Sequence, residues 1–202
     1  MFAHVRRVDP GGMSQSRSPT IESTRIPALC VPALLLAYGI LRFVDRIGGT
    51  DESGPLWVAG HLCFLGAIVG VAVLDVLLWR SLGQSLVTDT ADVLGLAGSA
   101  AFVWVIVGDI SPSIHSELPV PGPVTALGPP AFLLGIFMLL GVAALRAQFP
   151  WPHWILVVVG FSCVAASLAL LPLAAVLLLV GFEPLRSHQR LIGERPTVDH
   201  RR

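Results

Sequence analysis

The chain has 202 residues, 54% of them hydrophobic and 13% charged, with a formal net charge of zero. A soluble domain carries about 25% charged residues, so this composition excludes an ordinary water-soluble fold. The balanced charge also offers no electrostatic handle for nucleic acid or an acidic partner. The length suits one helical bundle rather than two domains. All 13 basic residues are arginine, a usage that suggests a GC-rich bacterial coding sequence.

Residues 1–26 are polar, with Arg6, Arg7, Arg17 and Arg25 among Pro, Gly and Ser. They read as a disordered tail. Met13 opens a plausible shorter start. The first apolar run is too long for a signal-peptide core.

A membrane span needs about 20 mostly apolar residues. Five stretches qualify, at about 27–47, 56–79, 91–110, 128–146 and 154–182. They predict an all-α integral membrane bundle of about five transmembrane helices over 27–182. Pro55 suits a first helical position, where its missing N–H costs nothing. The prolines at 112, 119, 121 and 123 predict a non-helical loop over 111–128. The run 154–182 is expected as one tilted helix kinked at Pro172, with a break inside it as the open alternative. An Arg-rich tail, 183–202, follows.

Five spans place the chain ends on opposite sides, and the arginines then divide almost equally between the sides. Arg17 and Arg25, just before the first span, favour an inside N-terminus. An even number of spans would remove the conflict.

Antiparallel threading gathers polar residues into two groups. One holds Arg42, Asp45, Arg46, Trp57, His61, Trp104, Asp109 and Glu183. Arg42 and Asp45 are three apart and share a helix face. Together with His61 and Asp109 they form the candidate polar cluster. Such a set is either an interfacial pair with snorkelling arginines or the lining of a cavity that binds a ligand or handles protons. Trp104 is expected as a packing residue. The second group holds Asp75, Arg80, Asp92 and Arg146, which read as ordinary helix ends, with Asp92 and Arg146 able to pair.

Small residues at Gly66 and Gly70, Gly95 and Gly98, and Ser162 and Ala166 mark faces where helix backbones approach closely, within the bundle or between copies. Cys30, Cys63 and Cys163 lie in apolar runs and read as small hydrophobes. Phosphate-binding loops, zinc-protease motifs, nucleophile elbows and metal-spaced histidines are missing. So are an inverted repeat and a midplane charge. No catalytic residue, cofactor or metal is implied.

The stretch Tyr38-Gly39-Ile40-Leu41-Arg42, Asp45, Gly54-Pro55-Leu56-Trp57 and Gly60-His61 resembles the uncharacterised small multi-pass membrane proteins of the actinobacterial type. The resemblance covers about 30 residues and implies a helical membrane protein of the bacterial inner membrane. It brings no activity and no catalytic residues.

Three functional expectations stand. The first is a structural or accessory bundle whose partners are the lipid bilayer and other membrane proteins or itself. The second is a small transport or sensing protein using Arg42, Asp45, His61 and Asp109, which requires a cavity reaching His61. The third is a lipid-modifying membrane enzyme.

Overall fold

The computed structural model describes residues 21–48 and 54–187, and all its regular elements there are helical. The expectations for residues 1–20, the acidic turn at 49–53 and the tail from 188 onward lie outside the described residues. In lipid only a helix or a closed barrel satisfies every backbone N–H and C=O, and these apolar runs take the first solution.

Four long helices follow in order, α1 (Ile21–Gly48), α2 (Pro55–Leu82), α3 (Leu86–Ile110) and α5 (Gly122–Leu145), with the short α4 (Pro112–Glu117) before the last. All four are long and apolar enough to cross a membrane. α6 (Trp151–Ala166), a short 3-10 turn (Leu168–Leu170), α7 (Leu171–Gly181) and α8 (Glu183–Ser187) complete the bundle.

Several boundaries differ from expectation. α1 begins at Ile21 and carries Pro27 and Pro32 inside it. The stretch 111–128 is largely helical. Pro112 and Pro123 sit in the first turns of α4 and α5, where proline is tolerated.

The fifth apolar segment is broken, and the break falls at Ser167 rather than Pro172. Ser167 is extended (φ −163°, ψ 133°), and its Oγ accepts from Ala169 N at 3.2 Å. Pro172 starts α7 instead of kinking a longer helix. The two halves double back on each other. A Cβ on Gly181 would meet Val157 Cγ2 at 2.8 Å, and one on Gly160 would meet Leu178 Cγ at 2.9 Å. The segment is therefore an antiparallel helical hairpin. A run of this length holds two short helices once the turn shrinks to a few residues.

The helices close a ring in the order α1, α2, α3, α5, α6, α7 and back to α1. Glycine sets the tightest joins. α3 and α5 touch backbone to backbone, since a Cβ on Gly135 would collide with Gly95 Cα and lie 2.8 Å from Ala91 O. α1 lies along α2, with Val31 Cγ2 2.8 Å from a Cβ placed on Gly70. At closure, Leu171 Cβ sits 3.1 Å from a Cβ placed on Gly39. Thr24 Oγ1 donates to Leu185 O at 3.4 Å.

That last contact fixes the topology. The chain enters and leaves the bundle at one face, the proximal face, which also carries the α2–α3 and α5–α6 connections. The distal face carries the end of α1, the start of α2 and the α3–α5 connection. Glu183, expected beside Arg42, lies instead on the proximal face, because the hairpin returns.

The α2–α3 connection shows how a sharp turn is held inside this apolar chain. Gly83 takes φ 77°, a region that only glycine enters freely. Ser85 and Thr88 form a capping box. Thr88 is wholly buried, and its Oγ1 accepts from Ser85 N at 2.9 Å. The Arg146 guanidinium donates to Leu82 O beside it. Thr88→Val keeps the shape and removes the hydroxyl. It is expected to cost about 1–2 kcal/mol, read as an earlier midpoint in mixed-micelle unfolding.

Candidate functional site

Five aromatic rings, one from each of five helices, surround a cavity of about 460 Å³. Tyr38 of α1 stacks on Phe64 of α2 at 4.9 Å. Phe64 meets Phe102 of α3 edge-on at 6.0 Å. Phe102 meets Phe132 of α5 at 5.3 Å, and Phe132 meets Phe161 of α6 at 5.8 Å. Edge-to-face and offset pairs at such separations are the favoured aromatic geometries. Aliphatic side chains including Leu35, Val71 and Ile106 complete the wall.

The cavity is polar only toward the distal face. There Tyr38, Arg42, His61 and Asp109 line it. Asp109 is exposed at the end of α3, so this end reaches the bundle surface. Three of the four residues expected as a cluster therefore share one cavity. The fourth, Asp45, is buried and borders a small void with Tyr38, Arg42, Trp57 and His61.

The helix positions explain this convergence. Tyr38 and Arg42 are one turn apart on α1, and the Arg42 guanidinium donates to Tyr38 Oη at 3.3 Å. Its Nε is buried without a hydrogen-bond partner. An unmatched donor on a cation is costly in an apolar setting.

His61, 6% exposed, lies 2.9 Å through Nδ1 from Trp57 O. A carbonyl only accepts, so Nδ1 carries the proton and Nε2 is left with the ring's lone pair in the neutral form. The imidazole also stacks on Trp57 at 3.8 Å and meets Tyr38 edge-on at 5.8 Å. Its orientation is set by three separate contacts.

Other polar expectations fare differently. Trp104 is 39% exposed, and its Nε1 donates to Leu118 O at 3.2 Å. It anchors the α3–α5 connection at the distal face rather than filling the interior. Asp92 and Arg146 do not pair: Arg146 serves Leu82 O, while Asp92 Oδ1 is buried with no partner. Asp75 is no ordinary helix end. It is wholly buried between helices, with neither carboxyl oxygen hydrogen-bonded.

Among the described residues, no group of three or more His, Cys, Asp or Glu side chains is arranged to hold a metal ion. The aromatic ring went unseen in the sequence. Its members come from five segments and share no local spacing, so only the assembled bundle brings them together.

Fold and site together define an all-α membrane-embedded bundle enclosing an aromatic cavity whose mouth is lined by Tyr38, Arg42, His61 and Asp109. No protein-family model, curated protein or solved structure matches the chain.

Proposed function

We propose that this chain is a multi-pass protein of the bacterial inner membrane that binds an amphiphile for transport or sensing. The occupant is a single-chain molecule with an acceptor-rich, anionic head. The observation that carries this reading is the cavity itself. Its volume lies within the range of about 300–1,000 Å³ typical of small-molecule sites. Its walls are aromatic and aliphatic, and its polar groups gather at one end. An apolar tail would lie against Phe102, Phe132 and Phe161. The head would meet the unpartnered Nε of Arg42, with Tyr38 and His61 beside it.

Asp109 at the mouth has a consequence for selectivity. Its negative charge opposes a highly charged head and favours a singly charged one, which Arg42 can neutralise without bringing Asp109 into contact.

The accessory-bundle reading drew on small-residue faces. Gly66, Gly70, Gly95 and Gly98 all face neighbours within the chain, so they support an outward-facing role less than they support packing. A lipid-modifying role draws only on the same Arg42 and His61.

Binding of a dansylated fatty acid to the full chain in nanodiscs tests the proposal. Saturable fluorescence enhancement is expected. Arg42→Gln should weaken it about tenfold or more, since a hydrogen bond to a charged group contributes about 1.5–3 kcal/mol. Ile106→Trp, which fills the cavity, should abolish it, and Glu183→Gln on the opposite face should leave it unchanged. Equal binding by the wild type, Arg42→Gln and Ile106→Trp would sink the idea.

A further inference from the structure

A second polar site lies deeper in the bundle, where α2 faces α3. Asp75 is 0% exposed, and both of its carboxyl oxygens lack hydrogen-bond partners. It fits against the notch left by Gly95, where a Cβ would collide with Oδ2 and stand 3.1 Å from Cγ. On α3, Asp92, Gly95 and Ser99 fall at helical spacing on one face. Asp92 is thus one turn to one side of the Asp75 contact, and Ser99 about one turn to the other. Asp92 Oδ1 and Ser99 Oγ are likewise buried and unpartnered. Four unsatisfied oxygens, two of them on Asp75, therefore line one helix seam.

The surroundings provide no cation hydrogen-bonded to Asp75. α5 carries no charged residue between Gly122 and Leu145, and it presents Gly135 beside Gly95. On α1 the nearest described charged side chain at this end, Arg25, is exposed. Arg80 on α2 is exposed; it shares a groove with Ser99 and its charge attracts Asp92, but it is not hydrogen-bonded to Asp75. Asp89 on α3 accepts from Trp79 Nε1 at 2.6 Å. Arg146 donates to Leu82 O. A wholly buried carboxyl group such as that of Asp75 is far too costly to leave charged and unmatched. Hard, oxygen-only donors suit a small hard cation.

We propose that Asp75, flanked along the seam by Asp92 on one side and Ser99 on the other, is the centre of an intramembrane site for a monovalent cation, a sodium ion or a proton, between α2 and α3. Its position gives it a role. Val71 lines the inner wall of the aromatic cavity and lies one helical turn before Asp75 on α2. The cation site thus sits between the cavity and the proximal face, in line with His61 along a single helix. Buried carboxyl groups placed this way serve proton relays and ion pathways. The site stands on its own oxygens and does not depend on what the cavity binds.

Thermal unfolding of the full chain in detergent, followed by tryptophan fluorescence, tests the proposal. Tm is measured in sodium chloride against choline chloride at fixed pH, and then across a pH series in choline. A sodium-dependent rise in Tm that disappears in Asp75→Asn supports the site with sodium as occupant. Ser99→Ala should then shift the sodium midpoint to higher concentration. A pH dependence that sodium does not alter, and that flattens in Asp75→Asn, supports the site with a proton as occupant. Should Asp75→Asn fail to fold, Asp92→Asn with Ser99→Ala replaces it, and binding of radioactive sodium to the wild type provides the direct measurement. A wild-type Tm indifferent to both ions, or a dependence that survives unchanged in the variants, overturns the proposal.

Discussion

Gly135→Ala is expected to destabilise the bundle by about 3 kcal/mol or more, at or above the upper end of the usual cost of overpacking. The reason is the nature of the obstacle. A side chain that meets another side chain can change rotamer. A methyl group on Gly135 meets the Gly95 Cα and the Ala91 carbonyl oxygen, which are backbone atoms of a rigid helix. Relief requires α3 and α5 to separate along their length. Separation would also loosen Phe102 from Phe132, which touch at 5.3 Å, and so open the cavity wall. Unfolding in mixed micelles, read by tryptophan fluorescence, gives the stability change. Gly122→Ala is the control, because a Cβ there meets nothing within 4 Å. Comparable midpoints for the two variants would show that the α3–α5 approach is looser than described.

Reporters fused after Ser187 and placed in the 49–53 connection are expected to report opposite sides of the membrane, with the Ser187 fusion cytoplasmic. The hairpin return carries this expectation. Thr24 and Leu185 meet at the proximal face, so the flanking sequences at both ends adjoin that face. Of the 13 basic residues, all but Arg42 and Arg46 then belong to the proximal face or to sequence joined to it. The near-equal division that five single crossings imposed is replaced by a strong asymmetry. Arginine-rich loops and flanks tend to remain cytoplasmic, so the proximal face is expected on the cytoplasmic side and the mouth of the cavity on the other. A fluorescent protein after Ser187 should be bright, and alkaline phosphatase there inactive. The reverse pattern would invert the bundle or undo the hairpin.

Much of the fold is legible from hydropathy, because spanning length is a one-dimensional property. The four long helices sit where apolar runs of sufficient length occur. The cluster of Arg42, His61 and Asp109 is legible too, since antiparallel threading fixes which helix ends share a face. Lateral arrangement is a different matter. In a soluble helix an apolar stripe points to the core. In lipid both the core and the surroundings are apolar, so that stripe vanishes, and Phe64 or Phe102 gives no sign of facing inward. Asp75 shows the same limit. Its position along α2 suggests a helix end, and only the Gly95 notch beside it reveals that it is enclosed. Ser167 leaves little trace in the sequence, because one hydroxyl barely interrupts an apolar run. Its break depends on an extended backbone and a local cap, neither of which leaves a hydropathy signal.

The closing contact between Thr24 and Leu185, 161 positions apart, also bears on how the protein is made. Helices leave the ribosome in order, and α1 can find α2 early. Its other flank waits for α7 and α8, which follow all the other described helices, and that delay carries the entropy of closing a very long loop. The wall formed by Phe161, Val164, Ala165 and Leu168 belongs to α6 and the turn after it, and α7 joins that arm of the hairpin to α1. A nascent chain short of its hairpin is therefore an open-sided trough facing lipid. The ring closes only when the hairpin docks, so a chain cut short before it is expected to leave the cavity open on that side.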